Sequence, residues 1–214
     1  MPSAVMNCWN EEPQRLLVSI ESFRQVYPGA SVRVLQDGRH RPEVAEVLEQ
    51  QGVHYSARRD QTKNYVLAGT YLRGWTSLVL EMPPPVFKID PDTLFYRPLP
   101  VFEPHVQYAG RAHASHNFLF GGCIYVSHSF ASTLFHSPYA TSDLARTCEY
   151  WRGYSEDLFL AALAHKHAVP LTHCPEIYRY TGTHPPPKAN RLYAVSIKSG
   201  DAGVLTVDSD GERH

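Results

Sequence analysis

The segment VFKIDPDTLF places Asp90 and Asp92 one residue apart, directly behind an apolar run. In extended chain, side chains at i and i+2 face the same way about 6.6 Å apart, so both carboxylates are expected to converge on one side. Pro91 keeps Asp90 out of the helical region and removes a backbone donor, which suits a strand that ends there. Two hard oxygen ligands at such a strand end suit Mg2+ or Mn2+, with phosphate oxygens completing the octahedron. A turn shaped by two aspartates is the simpler alternative. The apolar VFKI and the alternating strand and helix patterns upstream favour the metal.

A second acidic pair, Glu156 and Asp157 in GYSEDLFLAAL, opens a helix behind Ser155, its expected N-cap. Acidic side chains there gain about 0.3–1 kcal/mol from the macrodipole, which is reason enough for their presence. In FLFGGCIYVS, Gly121 and Gly122 separate two apolar stretches. Without a Cβ, backbone can approach a ligand closely at this pair, or the strand simply bulges or bends there. Arg58, Arg59 and Lys63 form a small basic stretch that either faces a pyrophosphate or sits in a solvated loop.

In the order of these landmarks the chain resembles the GT-A fold glycosyltransferases, which use nucleotide-diphospho-sugars. In that family an acidic D-x-D follows a central strand after an N-terminal nucleotide-binding half, a match to Asp90, Asp92 and the 89 residues before them. The resemblance spans residues 4 to 185. It implies a metal-dependent transferase that moves a sugar to an acceptor hydroxyl, inverting at the anomeric carbon, with Asp157 as proton acceptor beside Glu156 and Mn2+ or Mg2+ as cofactor. The stretch carrying Gly121 and Gly122 would line the donor-sugar and acceptor side. Further expectations are Asn7, Trp9, Asn10 and Asp37 around the nucleotide, Lys63 and Lys188 toward the diphosphate, and His184, with His173 as the other option, as a further metal ligand. Trp9 either stacks on the base or is a buried aromatic. The donor expected first is a UDP-sugar, and the acceptor a saccharide or a lipid-linked hydroxyl.

Two other classes share parts of the pattern. D-x-D-T-L is similar to the motif of haloacid-dehalogenase-type phosphatases, but Thr93 follows Asp92 without that family's intervening residue and the motif lies deep in the chain. A non-catalytic sugar-binding module of the same architecture would use the 13 tyrosines and 3 tryptophans as stacking platforms. Such a module has no use for a base at Glu156 or Asp157.

The elements that must hold these groups are readable from periodicity. Ala4–Cys8 reads as a strand, 11–27 as a helix capped by Asn10, Ser31–Gln36 as a strand ending in Asp37-Gly38, 42–51 as a helix and 53–55 as a strand. This β-α-β-α-β order predicts an α/β fold, a mixed and mainly parallel sheet with helices on both faces. A helix over 64–75, the strand Val86–Ile89, an apolar strand within 118–127, and helices over 129–135 and 156–167 follow. The last of these carries the stripe Leu158, Phe159, Ala162, Leu163, and a strand begins at Pro170. One domain over 1–205 is expected, with halves 1–97 and 98–205 and a flexible tail over 206–214. Acceptor contacts would come from 98–117 and 138–155.

The 214 residues carry 20 Lys+Arg against 21 Asp+Glu, a net charge of −1. That balance argues against a nucleic-acid partner, which needs a basic excess on one face. No apolar run approaches the roughly 20 residues of a membrane span, and MPSAVMNCWNEEPQR has no basic segment leading into an apolar core, so no transmembrane segment and a cytoplasmic location are expected. Cys8, Cys123, Cys148 and Cys174 lack metal or redox spacing and read as reduced thiols.

Overall fold

The computed structural model describes residues 1–58, 68–113, 118–149, 155–180 and 194–197. Seven strands form one sheet in the order β3-β2-β1-β4-β7-β6-β8: β1 (Ser3–Cys8), β2 (Ser31–Asp37), β3 (His54–Arg58), β4 (Val86–Ile89), β6 (Tyr108–Ala112), β7 (Leu119–Val126) and β8 (Leu171–His173). Strands β1 to β4 are mutually parallel, β7 runs against both β4 and β6, and β8 is parallel to β6. A smaller sheet joins β5 (Thr93–Phe95), β10 (Ala194–Ile197) and β9 (Ile177–Tyr180). The fold is therefore α/β with a mixed, mostly parallel sheet.

Helices cover both faces because the central strands are apolar on both sides, as parallel strands must be. Strand β1 is buried at every position. Helices α1 (Pro13–Val26) and α2 (Pro42–Gln50) pack Leu16, Ile20, Phe23, Val44 and Leu48 on one face, against Ala4, Met6, Phe87 and Ile89. On the other face Val5, Val86 and Ile124 meet α3 (Ala68–Glu81), α4 (His128–Phe135), α5 (Ser142–Glu149) and α6 (Ser155–Lys166). Among the described residues no helix is long and apolar enough to cross a membrane.

Several boundaries differ from the sequence reading. Helix α1 begins at Pro13 behind Glu12, not behind Asn10, because proline at the first helical position has its φ preset and no N–H to lose. Helix α3 continues to Glu81, six residues past Trp75, since Leu78 and Val79 extend the buried stripe. Helix α6 buries Phe159, Leu160, Leu163 and Ala164, whereas Leu158 and Ala162 are only half-buried. Strands β5, β6, β9 and β10 and helix α5 arise where no clear period was legible.

Connections set the position of the site. From β1 the chain crosses over α1 to β2 on one side, and from β3 it returns over α3 to β4 on the other. The strand order thus reverses between β1 and β4, and the crevice beyond their carboxyl ends is where open α/β sheets bind ligands. Register pairs Met6 with Ile89, so Asn7 and Asp90 follow side by side at that edge. Antiparallel β7 starts from the same edge with Leu119, Phe120 and Gly121.

Candidate functional site

Lys88 is the centre of the site. Its side chain is 1% exposed on a strand whose other residues are apolar. The ammonium lies 2.8 Å from Asp90 Oδ1, 3.2 Å from Glu156 Oε1 and 3.1 Å from the Gly121 carbonyl oxygen. Burial works against its charge, but Asp90 first and then Glu156 outweigh it and raise the lysine well above its ordinary range. A buried cation with three oxygen partners is thus kept charged. Nothing in the apolar run VFKI signalled this, because the partners come from positions 2, 33 and 68 residues further along.

The network continues across the sheet edge. Tyr71 of α3 donates to Glu156 Oε1 over 3.3 Å and accepts from Asn7 Nδ2 at 2.6 Å. Since the phenol donates to the carboxylate, the amide must present its N–H2 to the phenol, and its Oδ1 is the acceptor left over. That oxygen is buried, and Asn7 is 7% exposed, with no hydrogen-bond partner for Oδ1 among the described residues. Burial, then Glu156, pushes the Tyr71 hydroxyl well up, so it stays protonated.

Gly121 couples the second acidic pair to the strand. Its N–H donates to Asp157 Oδ1 at 2.8 Å while its carbonyl accepts from Lys88. A Cβ here would stand 2.5 Å from Asp157 Oδ1 and 3.2 Å from Lys88 Nζ. The room expected for a ligand at this glycine is therefore filled by the chain's own carboxylate and ammonium. Glu156 and Asp157 both lie in the first turn of α6, as their position in the sequence predicts, but they are held by different partners.

The Asp90-Pro91-Asp92 segment departs from the extended geometry. Thr93 N–H donates to the Asp90 carbonyl at 3.1 Å, closing a turn, and Gly122 carbonyl oxygen accepts from Asp90 N–H at 2.9 Å and from Thr93 Oγ1 at 2.5 Å. Gly122 serves the turn with its backbone. The two carboxylates take partners on opposite faces of the sheet: Asp90 joins Lys88 and Glu156 toward α6, whereas Asp92 lies 3.9 Å from Arg15 of α1. Proline at the second turn position presets the dihedral that makes this turn possible.

The other expected positions divide. Asp37 is buried, 4% exposed, at the end of β2, at the same sheet edge. Trp9 is half-buried beside Gly38, its ring 3.9 Å from the position a Cβ would take there, and Asn10 is exposed. Arg58 lies against α3, where a Cβ at Gly74 would meet its Nε at 2.9 Å. His173 accepts the Ala112 N–H at 3.1 Å through Nδ1, so that nitrogen ties β8 to β6. Arg59, Lys63, His184 and Lys188 lie outside the described residues.

Among the described residues, no group of three or more His, Cys, Asp or Glu side chains could hold a metal ion by itself. The donors at the turn nevertheless fit a hard cation in kind. Asp90 is a quarter exposed and spends Oδ1 on Lys88, and Asp92 is 13% exposed in a loose ion pair. Mg2+ in particular is commonly held by one or two carboxylates with phosphate and water oxygens. No protein-family model and no curated protein sequence matches this chain.

Proposed function

We propose that this protein is a metal-dependent glycosyltransferase of GT-A type that moves a sugar from a nucleotide-diphospho-sugar to an acceptor hydroxyl with inversion. One observation carries the reading: three carboxylates from two distant segments, Asp90, Glu156 and Asp157, meet at the carboxyl edge of β4, at the point where the strand order reverses, and Gly121 and Lys88 link the two segments. A turn or a helix cap alone needs no such linkage.

In this reading the acceptor oxygen attacks the anomeric carbon as the bond to the β-phosphate oxygen breaks, and its bonding electrons leave with the nucleoside diphosphate. The hydroxyl proton passes to Asp157, whose Oδ1 is held by the Gly121 N–H. A carboxylate is a weak base toward a resting alcohol, and it suffices as the hydroxyl acidifies in an oxocarbenium-like transition state. Asp90, together with phosphate oxygens of the donor, would hold the divalent ion, whose chemistry when bound is Lewis-acid stabilisation of charge on the departing diphosphate. The unpartnered Asn7 Oδ1 supplies an acceptor suited to a nucleobase N–H or a ribose hydroxyl. A UDP-sugar donor and a saccharide or lipid-linked acceptor remain the preferred pair.

The test is release of nucleoside diphosphate from UDP-, GDP- and dTDP-sugars, with Mn2+ or with chelator, over a set of sugar acceptors. Turnover on one donor that chelation abolishes is the expected result. Cation-dependent binding without release would make the protein a sugar-binding module, and release of inorganic phosphate from a phosphate monoester would make it a phosphatase.

A further inference from the structure

We propose that Lys88 is the positioning residue of this site, a built-in cation that holds Asp90 and Glu156 in place and thereby leaves Asp157 as the carboxylate that accepts the proton. The inference rests on the transferase reading above. Its grounds are the three oxygens around one ammonium at 2.8, 3.1 and 3.2 Å, from β4, β7 and α6. Without that ammonium, Asp90 and Glu156 would be two like charges brought together at a half-buried position, and they would move apart. Because Gly121 bonds Lys88 through its carbonyl and Asp157 through its N–H, a shift of the lysine displaces the β7 segment that orients Asp157.

The division between the two acidic residues follows from the same contacts. Glu156 is held at one oxygen, Oε1, which forms an ion pair with Lys88 at 3.2 Å and accepts from the Tyr71 hydroxyl at 3.3 Å. A carboxylate so engaged acts as a counter-ion. Asp157 Oδ1 accepts the Gly121 backbone N–H, which fixes its direction. Asp90, in turn, shares its carboxylate between an internal ammonium and whatever cation arrives with the donor.

Removal of Lys88 alone leaves two carboxylates unbalanced and risks loss of the fold, so the decisive comparison is between Glu156→Gln and the charge-balanced pair Lys88→Met with Glu156→Gln. Each is measured for thermal midpoint, for turnover with its split into kcat and acceptor KM, and for Mn2+ affinity by electron paramagnetic resonance. Expected is a folded double variant with kcat about 10–100-fold below Glu156→Gln and acceptor KM within about threefold, the size typical of losing a supporting partner. Its Mn2+ affinity should rise at least about tenfold, because Asp90 loses a competing cation. Tighter metal with slower transfer is a combination that a merely structural role, which would weaken both together, does not produce. Equal kcat and equal Mn2+ affinity in the two variants would overturn the assignment. If the wild type turns over none of the donors, the transferase reading falls by itself, and the Mn2+ comparison still decides whether Lys88 competes for Asp90.

Discussion

The two aspartates of the IDPDT turn are neighbours in sequence and opposites in setting. Asp90 belongs to a buried network that runs through Lys88, Glu156 and Tyr71 to Asn7, with contacts of 2.6–3.3 Å. Asp92 faces Arg15 at 3.9 Å, and that arginine is 38% exposed. The first is an ion cluster built around a fully buried ammonium, where every contact counts because an unpaired buried charge is costly. The second is a longer ion pair in which the carboxylate is 13% exposed and the arginine is the partly solvated member. A single turn therefore joins a close ion cluster to a carboxylate whose pair with Arg15 is longer and lies on the other face.

Substitutions on the two sides should separate accordingly. The largest effect is expected at Asp157→Asn, linked to the buried side through Gly121: transfer should fall about 10²–10⁴-fold, the usual contribution of a general base, while donor and Mn2+ binding by calorimetry persist. Loss of the folded state instead would show that Asp157 serves α6 as a cap. Lys88→Met alone should cost about 3–5 kcal/mol in denaturant unfolding, the penalty for leaving buried charge without its partner. A cost under about 1 kcal/mol would mean that water reaches Asp90 and Glu156 freely.

Gly121→Ala comes next. Its new methyl meets Asp157 Oδ1 at 2.5 Å, so a loss of about 1–3 kcal/mol is expected, along with transfer activity reduced by displacement of that carboxylate. Wild-type activity in this variant would show that Asp157 has room to move without consequence.

Alkaline pH probes buried groups on both faces of the sheet. Burial first, and Glu11 second, push the Cys8 thiol up to about 12, and burial likewise raises Cys123, Tyr71 and Tyr108. Lys88 is raised as well, through Asp90 and Glu156. Every one of these groups binds its proton more tightly when folded, so the stability it contributes is intact below its unfolded pKa and declines as pH rises beyond it. The thiols begin this near pH 9, and tyrosine and lysine follow from about 10. Unfolding free energy should therefore drop by about 1.4 kcal/mol per pH unit for each group in its window. A flat profile between pH 8 and 11 would contradict the burial of these groups.

The smallest effect is expected on the other side of the turn. Arg15→Ala should alter stability by no more than about 0.5 kcal/mol, because a pair 3.9 Å apart with a partly solvated arginine is worth little. A larger loss would erase the contrast between the two aspartates.

Much of the N-terminal architecture was legible beforehand, for a local reason. In α1 and α2 burial follows the helical period, β1 and β2 are short, largely buried runs, and Pro28-Gly29, Asp37-Gly38 and Gly52 punctuate them; Gly29, Gly38 and Gly52 all have positive φ. Residues 93–112 and 142–149 were not legible, since β5, β6 and α5 are short and owe their form to neighbours in space. Strand β6 is made by pairing with β7 and β8, and β5 by pairing with β10, about a hundred residues away.

The candidate site divides along the same line. Residue types and order by themselves marked Asp90, Asp92, Glu156, Asp157 and the glycine pair, because carboxylates behind an apolar strand and at a helix start, and glycines inside a strand, are exceptions to local pattern. That Asp90 and Asp92 diverge, that Gly121 is crowded by the chain's own groups, and that Lys88 holds the centre were settled only by the fold. A charge buried in a strand is tolerated only when partners from elsewhere surround it, and the sheet and α6 must assemble before Lys88 has any. Sequence determines which groups are present at an edge; the neutralisation of one by another depends on distances that exist only once β4, β7 and α6 have packed.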